Sequence, residues 1–171
     1  MQGVHSKMNF EPSDLHHLRA AEGWLELGNH LEANEELENI TAQLRAHPAV
    51  LLLRWNVSAM AKKWGVCVEL AQELTKLSPD LEQGWGNFGN SLYWAGQTQE
   101  AYDCVKPVLD RFPKNPILRY NLACYACQLG HLEEAMFWLE KAFEVGDPKR
   151  LQRMALEDPD LEPLRKSLGQ I

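Results

Sequence analysis

The chain has 171 residues, of which 45% are hydrophobic, and a formal net charge of −7 at pH 7. This apolar content suits a well-buried domain and excludes an intrinsically disordered chain. The acidic balance argues against nucleic acid or an anionic membrane as partner, because both require clustered Lys and Arg. No stretch approaches the roughly 20 uninterrupted apolar residues of a membrane span, and no basic start precedes a continuous apolar run. We therefore expect a cytoplasmic protein.

Residues 1–13 carry no periodic pattern, and the sequence predicts an irregular N-terminal segment there. From residue 14 onward, residue types recur 34 positions apart, which indicates an internal structural repeat. The pairs that carry this period are Gly96 and Gly130, Ala101 and Ala135, Asn87 and Asn121, and Pro79 and Pro113. The same phase divides the chain without an insertion into four units, 14–47, 48–81, 82–115 and 116–149.

Each unit contains two amphipathic stretches of helical period on either side of a short break. In the third unit the apolar positions Trp85, Phe88 and Leu92 precede the break, and Ala101 and Val105 follow it. Glycine favours the left-handed conformation that ends a helix, and proline favours the first helical turn. The unit is therefore predicted to be a helical hairpin.

Three positions depart from this pattern. In the second unit Lys62 stands where the other units have the turn glycine, and Trp55 stands in a column of small residues, so that it must either widen the hairpin or turn outward. In the third unit Pro107 falls inside a predicted helix, where it removes a backbone hydrogen bond and predicts a kink.

Residues 150–171 contain two short amphipathic runs separated by Asp158, Pro159 and Asp160. The last hairpin of a stack exposes an apolar face that a segment with a polar outer side must cover. The sequence therefore predicts C-terminal capping helices at 150–171.

The third and fourth units resemble the tetratricopeptide repeat. The resemblance is carried by the run from Trp85 to Asn90 with Tyr93, Gly96, Ala101 and Pro113, and by the run from Tyr120 to Ala123 with Gly130 and Ala135. It covers about four-fifths of the chain and implies an all-α, right-handed α-solenoid of four tandem hairpins. The Asp-Pro-Asp-Leu tail is similar to the segment after the last repeat of many bacterial tetratricopeptide proteins, which implies a bacterial source.

The resemblance further implies that the first helices of the hairpins line a concave groove that holds an extended peptide. Projected from the repeat phase, the candidate peptide-binding residues are Asn56, Met60, Asn87, Asn90, Tyr93, Trp94, Tyr120, Asn121 and Cys124. The amides can pair with a ligand backbone, or can instead join neighbouring helices. Large aromatic groups in an open groove expose apolar surface, so we expect Trp94 and Tyr120 to be exposed partner contacts.

Relatives that hold the C-terminal carboxylates of chaperones use Lys and Arg on the first helices. Here the corresponding positions hold Leu18, Leu52, Gln83, Gly86, Ile117 and Tyr120, which argues against such a carboxylate clamp. The implied function is a non-catalytic adaptor or scaffold that binds a protein or peptide, with no cofactor, no nucleic acid and no membrane.

Three alternatives remain open from the sequence. Some type III secretion chaperones are acidic tetratricopeptide proteins of this size, so the client could be a hydrophobic protein. An uncovered first hairpin at 14–47 could pair with a second copy. Cys124, Cys127 and His131 share one helical stripe and could supply three zinc ligands, but no fourth is evident, so we expect no bound metal.

Overall fold

The computed structural model describes residues 10–169, and within that range the chain is helical and contains no strand. The α-helices are α1 (Pro12–Glu26), α2 (His30–Glu38), α3 (Pro48–Met60), α4 (Trp64–Leu77), α5 (Glu82–Trp94), α6 (Thr98–Val105), α7 (Pro116–Gln128), α8 (Leu132–Val145), α9 (Pro148–Glu157) and α10 (Arg165–Leu168). Short 3-10 helices span Ala42–Leu44, Lys106–Arg111 and Pro159–Leu164. The prediction of an all-α chain of tandem helical hairpins with a C-terminal capping segment is confirmed. None of the helices in residues 10–169 has the length and apolar composition needed to cross a bilayer.

The helices divide into two compact units, Met1–Leu70 and Ala71–Ile171, with the boundary inside α4. The first nine residues of the predicted irregular segment lie outside the described residues. Helix α1 begins at Pro12, two residues earlier than predicted, because proline suits the first turn of a helix. The bounds of the four repeats stay a prediction.

The core of the first unit joins α1, α2 and α3. Its buried residues are Leu18, Ala21, Ala33, Leu37, Ile40, Leu44, Val50, Leu53 and Val57, with Phe10, Trp24 and Leu25 packed against them. At one edge the carboxylate of Asp14 accepts hydrogen bonds from the Thr41 backbone N–H at 2.8 Å and the Thr41 hydroxyl at 3.2 Å. The Thr41 backbone donor lowers the pKa of Asp14, and the paired carboxylate fixes the chain that follows α2.

The four turns between paired helices share one hydrogen-bond pattern. In the turn after α5, the Gly96 N–H bonds the Tyr93 carbonyl at 2.9 Å and the Gln97 N–H bonds the Leu92 carbonyl at 2.9 Å. This is a Schellman ending, whose central residue adopts a left-handed backbone. The φ angles are +77° at Gly28, +81° at Gly96 and Gly130, and +54° at Lys62. Lys62 therefore reproduces the glycine turn at a strain of about 1 kcal/mol.

Trp55 is buried in the first unit, so the outward alternative is wrong. Its backbone carbonyl accepts a long contact from the Cys67 thiol at 3.9 Å. The neighbouring Arg54 reaches α2 instead, where its guanidinium donates to the Glu38 carboxylate at 2.9 Å and to the Leu37 carbonyl at 3.1 Å. The Trp55 side chain is therefore buried at a position where the other repeats carry a small residue.

The sequence predicts a kink at Pro107, and the structure has a change from α-helix to 3-10 helix there. Helix α6 ends at Val105, and Lys106–Arg111 continues as a 3-10 helix with Pro107 in its first turn. Proline has no N–H to donate, and a tighter helix accommodates its fixed φ without an α-helical bond at that position.

Close approach of helices in the second unit depends on Gly89 in α5. A β-carbon at this position would lie 2.6 Å from Val105 Cγ2 and 2.9 Å from the Tyr125 hydroxyl. One turn earlier on the same helix, a β-carbon at Gly86 would meet only Leu118 Cδ2, at 3.7 Å, which is ordinary contact. The two glycines of α5 are therefore not equivalent.

We expect Gly89→Ala to lower the free energy of unfolding by about 1–3 kcal/mol, because the added methyl group forces α5 away from its neighbours. Gly86→Ala is the matched control, since it adds the same methyl group to the same helix without a clash and should stabilise the protein by roughly 0.5–1 kcal/mol. Urea unfolding followed by circular dichroism measures both. Equal stability of the two variants would contradict this account of the packing.

Candidate functional site

Six of the predicted site residues meet in the second unit, where α5 faces α7. Asn90, Tyr93 and Trp94 from α5 and Asn121, Tyr120 and Cys124 from α7 line one cavity of about 160 Å³. Tyr125, Asp158 and Asp160 complete its lining. We call this cavity and its rim the α5–α7 groove. Asn87 is buried and does not line it.

Asn56 and Met60 belong to the first unit, near the end of α3. Asn56 is half-buried, and Met60 is exposed and lines a different cavity in that unit.

The α5–α7 groove holds a segment of the protein's own tail. Asp158 begins the 3-10 helix Pro159–Leu164, and its carboxylate accepts the Asp160 backbone N–H at 3.0 Å. The other oxygen of the same carboxylate accepts the Tyr120 hydroxyl at 2.8 Å and a weak contact from the Cys124 thiol at 3.8 Å. The Gln128 amide donates to the Asp160 carbonyl at 2.8 Å. These hydrogen bonds hold the turn at residues 158–160 against α7.

This tail explains an error in the sequence prediction. The sequence predicts an exposed Tyr120, but Tyr120 is only 4% exposed, and Cys124 one turn later is 6% exposed. The prediction of an exposed Tyr120 is therefore wrong, because the tail covers it. Trp94 is 45% exposed and forms the outer rim, as expected.

The pKa values in the groove keep its donors protonated. Burial, followed by the hydrogen bond to Asp158, raises the pKa of Tyr120. Burial and a hydrogen bond to Asp160 likewise raise the pKa of Tyr93. Burial also raises the pKa of the Cys124 thiol, with a further contribution from the two carboxylates. The tyrosines therefore act as neutral hydrogen-bond donors, and the thiol is a poor nucleophile because nucleophilicity belongs to the thiolate.

The asparagines of the groove differ in their roles. Asn90 accepts the Tyr125 hydroxyl at 2.7 Å and so joins α5 to α7, which is the inter-helix alternative left open by the sequence. The side-chain amide nitrogens of Asn87 and Asn121 are buried and find no acceptor among residues 10–169. A buried donor without an acceptor is unfavourable. Of these two residues, Asn121 lines the groove.

The ligand set that the structure brings together differs from the one considered in the sequence. Ligand atoms of Cys124, Asp158 and Asp160 lie within 4.8 Å of one another, and a thiolate with two carboxylates is a donor set that zinc accepts. Cys127 and His131 are not part of this cluster. His131 is exposed and lies 3.8 Å from the Glu134 carboxylate. The sequence did not predict Asp158 and Asp160 as site residues, because they lie far along the chain from α7 and outside the repeat pattern.

Tandem hairpins with a covered last repeat define the class of this protein as an all-α helical-repeat protein. Solved structures of MamA share its fold. The structure described as "MamA MSR-1 C2" is 22% identical, with a TM-score of 0.66 over 78% of this chain and 76% of that chain. "Crystal structure of MamA" is 14% identical, with a TM-score of 0.71 over 80% of each chain. At these identities the likeness establishes the fold. No protein-family model matches the sequence, and no curated protein matches it.

We expect the Tyr120 hydroxyl and the Asp158 carboxylate to stabilise each other in a way that a double-mutant cycle detects. Tyr120→Phe should lower the free energy of unfolding by about 1.5–3 kcal/mol, because a hydrogen bond to a charged group is lost. Combined with Asp158→Ala, the loss should be smaller than the sum of the single losses by about 1 kcal/mol. Asp147→Ala is the matched control, since Asp147 caps α9 in the same tail through the Arg150 N–H. Its effect should add to that of Tyr120→Phe, and additivity of Asp158→Ala would refute the contact.

We also expect the tail to protect the Cys124 thiol from alkylation. Asp158→Ala removes a carboxylate that raises the pKa of Cys124, and each unit by which the pKa falls gives roughly tenfold more thiolate. Iodoacetamide at pH 8, followed by peptide mass spectrometry, should show faster modification of Cys124 in the variant. Cys67, whose pKa is raised by burial to about 11, is the internal control and should keep its rate. Unchanged reactivity of Cys124 would argue against protection by Asp158.

Proposed function

We propose that the chain is a non-catalytic, cytoplasmic protein-interaction scaffold that binds an extended segment of a partner protein at the α5–α7 groove. The observation that carries this proposal is the tail itself. A short acidic turn of the chain lies in the groove and is held by Tyr120 and Gln128. A surface that binds one short segment of chain through side-chain donors offers suitable chemistry for another.

A partner can reach the groove at its rim. The indole of Trp94 offers a large apolar contact that is partly open to solvent. Asn121 is half-buried in the lining below, and its buried amide nitrogen lacks an acceptor among the described residues. Aromatic anchors of this kind carry much of the binding energy in protein interfaces, and amides pair with an extended backbone.

The tail supplies the negative charge of the groove. Asp158 and Asp160 form no ion pair within residues 10–169, and the cavity has no Lys or Arg in its lining. We infer that the tail remains in place as one wall, because Leu161 and Leu164 beyond it are buried. Such a wall favours a partner segment with an apolar anchor for Trp94 and with N–H donors or cationic side chains facing the two carboxylates.

The groups in the groove support the proposal of non-catalytic action. Raised pKa values keep the Cys124 thiol and the Tyr120 hydroxyl protonated, and the Asp158 carboxylate accepts the Tyr120 hydroxyl. This arrangement provides hydrogen bonds for a segment and lacks an activated nucleophile paired with a base. A chaperone for a hydrophobic client is the alternative, and it predicts that the captured partner aggregates when produced alone.

The test places a photo-reactive benzoylphenylalanine at position 94 of the full chain. We expect cross-links to a partner segment from position 94 and none from position 137, because Phe137 is exposed to a similar degree but lies on α8 outside the groove. With the purified partner, Trp94→Ala should weaken binding by roughly tenfold, the effect of a hot-spot residue. Phe137→Ala should leave the Kd within about twofold. Cross-links from position 137 alone, or equal effects of the two variants, would refute the groove as the binding site.

A further inference from the structure

A second cavity, of about 640 Å³, lies in the first unit between the start of α2 and the end of α3. Its apolar lining includes Leu31, Val57 and Met60. Leu31 is 68% exposed and Met60 41%, so the mouth of the cavity presents large apolar side chains to solvent. Cavities of several hundred Å³ with an apolar lining are typical of ligand and anchor-residue sites, and exposed apolar surface usually marks an interface.

Two adjacent cations lie at this cavity. Lys62 and Lys63 line it, and neither forms an ion pair with any residue in the described range 10–169. Glu35 is the only carboxylate in the lining. In a chain with a net charge of −7, this is a local excess of positive charge beside an apolar cavity. Charge complementarity therefore favours an acidic ligand.

The backbone of Lys62 gives independent support. Lys62 has a φ of +54°, while the corresponding positions of the other three turns are the glycines Gly28, Gly96 and Gly130. Its turn makes the same bonds as theirs, from the Lys62 N–H to the Ala59 carbonyl at 3.0 Å and from the Lys63 N–H to the Ser58 carbonyl at 2.9 Å. Glycine would form this turn with less strain. A side chain held in a strained conformation at the edge of a cavity is a reason to look for a role of that side chain.

We propose that this cavity is a docking site for an acidic segment of a partner protein. An aliphatic or aromatic side chain of the segment enters the cavity against Val57 and Met60. Carboxylates on either side of that anchor pair with Lys62 and Lys63. The site is separate from the α5–α7 groove in its residues and in the sign of its charge, and it does not depend on the function proposed there.

The experiment selects ligands for the full chain from a displayed library of random 12-residue peptides, and measures their Kd by fluorescence anisotropy. We expect peptides that combine a large apolar residue with flanking Asp or Glu. Lys62→Gly and Lys63→Gln should each weaken their binding by roughly three- to fivefold, the range of exposed ion pairs. The affinity should also fall as salt rises. Leu31→Asp should abolish binding by placing a negative charge at the mouth of the cavity.

Lys62→Gly separates a binding role from a structural one, because glycine relieves the left-handed strain while the cation is lost. Its Tm should rise by roughly 2–4 °C while the affinity falls, so weaker binding is not a consequence of unfolding. Lys114→Gln, at an exposed lysine of the second unit, and Trp94→Ala, in the α5–α7 groove, are controls that should leave the Kd unchanged. Selected peptides without acidic residues, or an unchanged Kd in Lys62→Gly, would overturn the proposal. Binding that is lost in Trp94→Ala instead would assign those peptides to the groove and also overturn it.

Discussion

Short distances between helices are the constraint on which the structure of both units depends. Small residues on the paired helices are fully buried, namely Ala21 and Ala33 in the first unit and Ala101, Ala123 and Ala135 in the second. Gly89 is the extreme case, because even a methyl group there would overlap Val105 and Tyr125. Close approach lets the Tyr125 hydroxyl reach Asn90 on α5. It also brings Tyr93 and Trp94 to the same cavity as Tyr120 and Cys124, so the groove is a consequence of helix packing.

Much of this fold follows from the sequence because its determinants are local and repeated. A glycine in a left-handed turn, a proline in a first helical turn and apolar residues at helical spacing act within a few positions of each other. Lys62 shows that the pattern of the turn is stronger than the residue preference at its centre. It takes the left-handed conformation and forms both hydrogen bonds of the glycine turns. The same locality explains the change to a 3-10 helix at Pro107, which the missing N–H of proline requires.

The sequence did not predict in the same way that the C-terminal tail lies in the groove. The contact between Tyr120 and Asp158 joins residues 38 positions apart, and a tyrosine with an aspartate has no characteristic spacing. A repeat pattern predicts which face of α7 is inward, but it does not predict what covers that face. Tyr120 was therefore placed correctly on the helix and wrongly in its exposure. Trp55 is a similar case, since the departure from a small residue was visible in the sequence but its burial depends on how the second hairpin packs.

The way the tail is held explains how a groove without Lys or Arg in its lining holds the Asp158 carboxylate. A neutral donor such as Tyr120 gives a weaker hydrogen bond to an anion than Lys or Arg would. A weak contact is sufficient for a segment of the same chain, because tethering gives it an effective concentration in the millimolar range. Leu161 and Leu164, which are buried a few residues beyond the turn, restrict it further.

An acidic segment of another protein has no such tether and would compete poorly for the donors of the groove. The groups at the surface of the groove are then Trp94 and the two half-buried carboxylates, which favour a partner segment of opposite charge. Free acidic segments find their cations at Lys62 and Lys63 in the first unit, where neither lysine pairs with another residue in the described range 10–169.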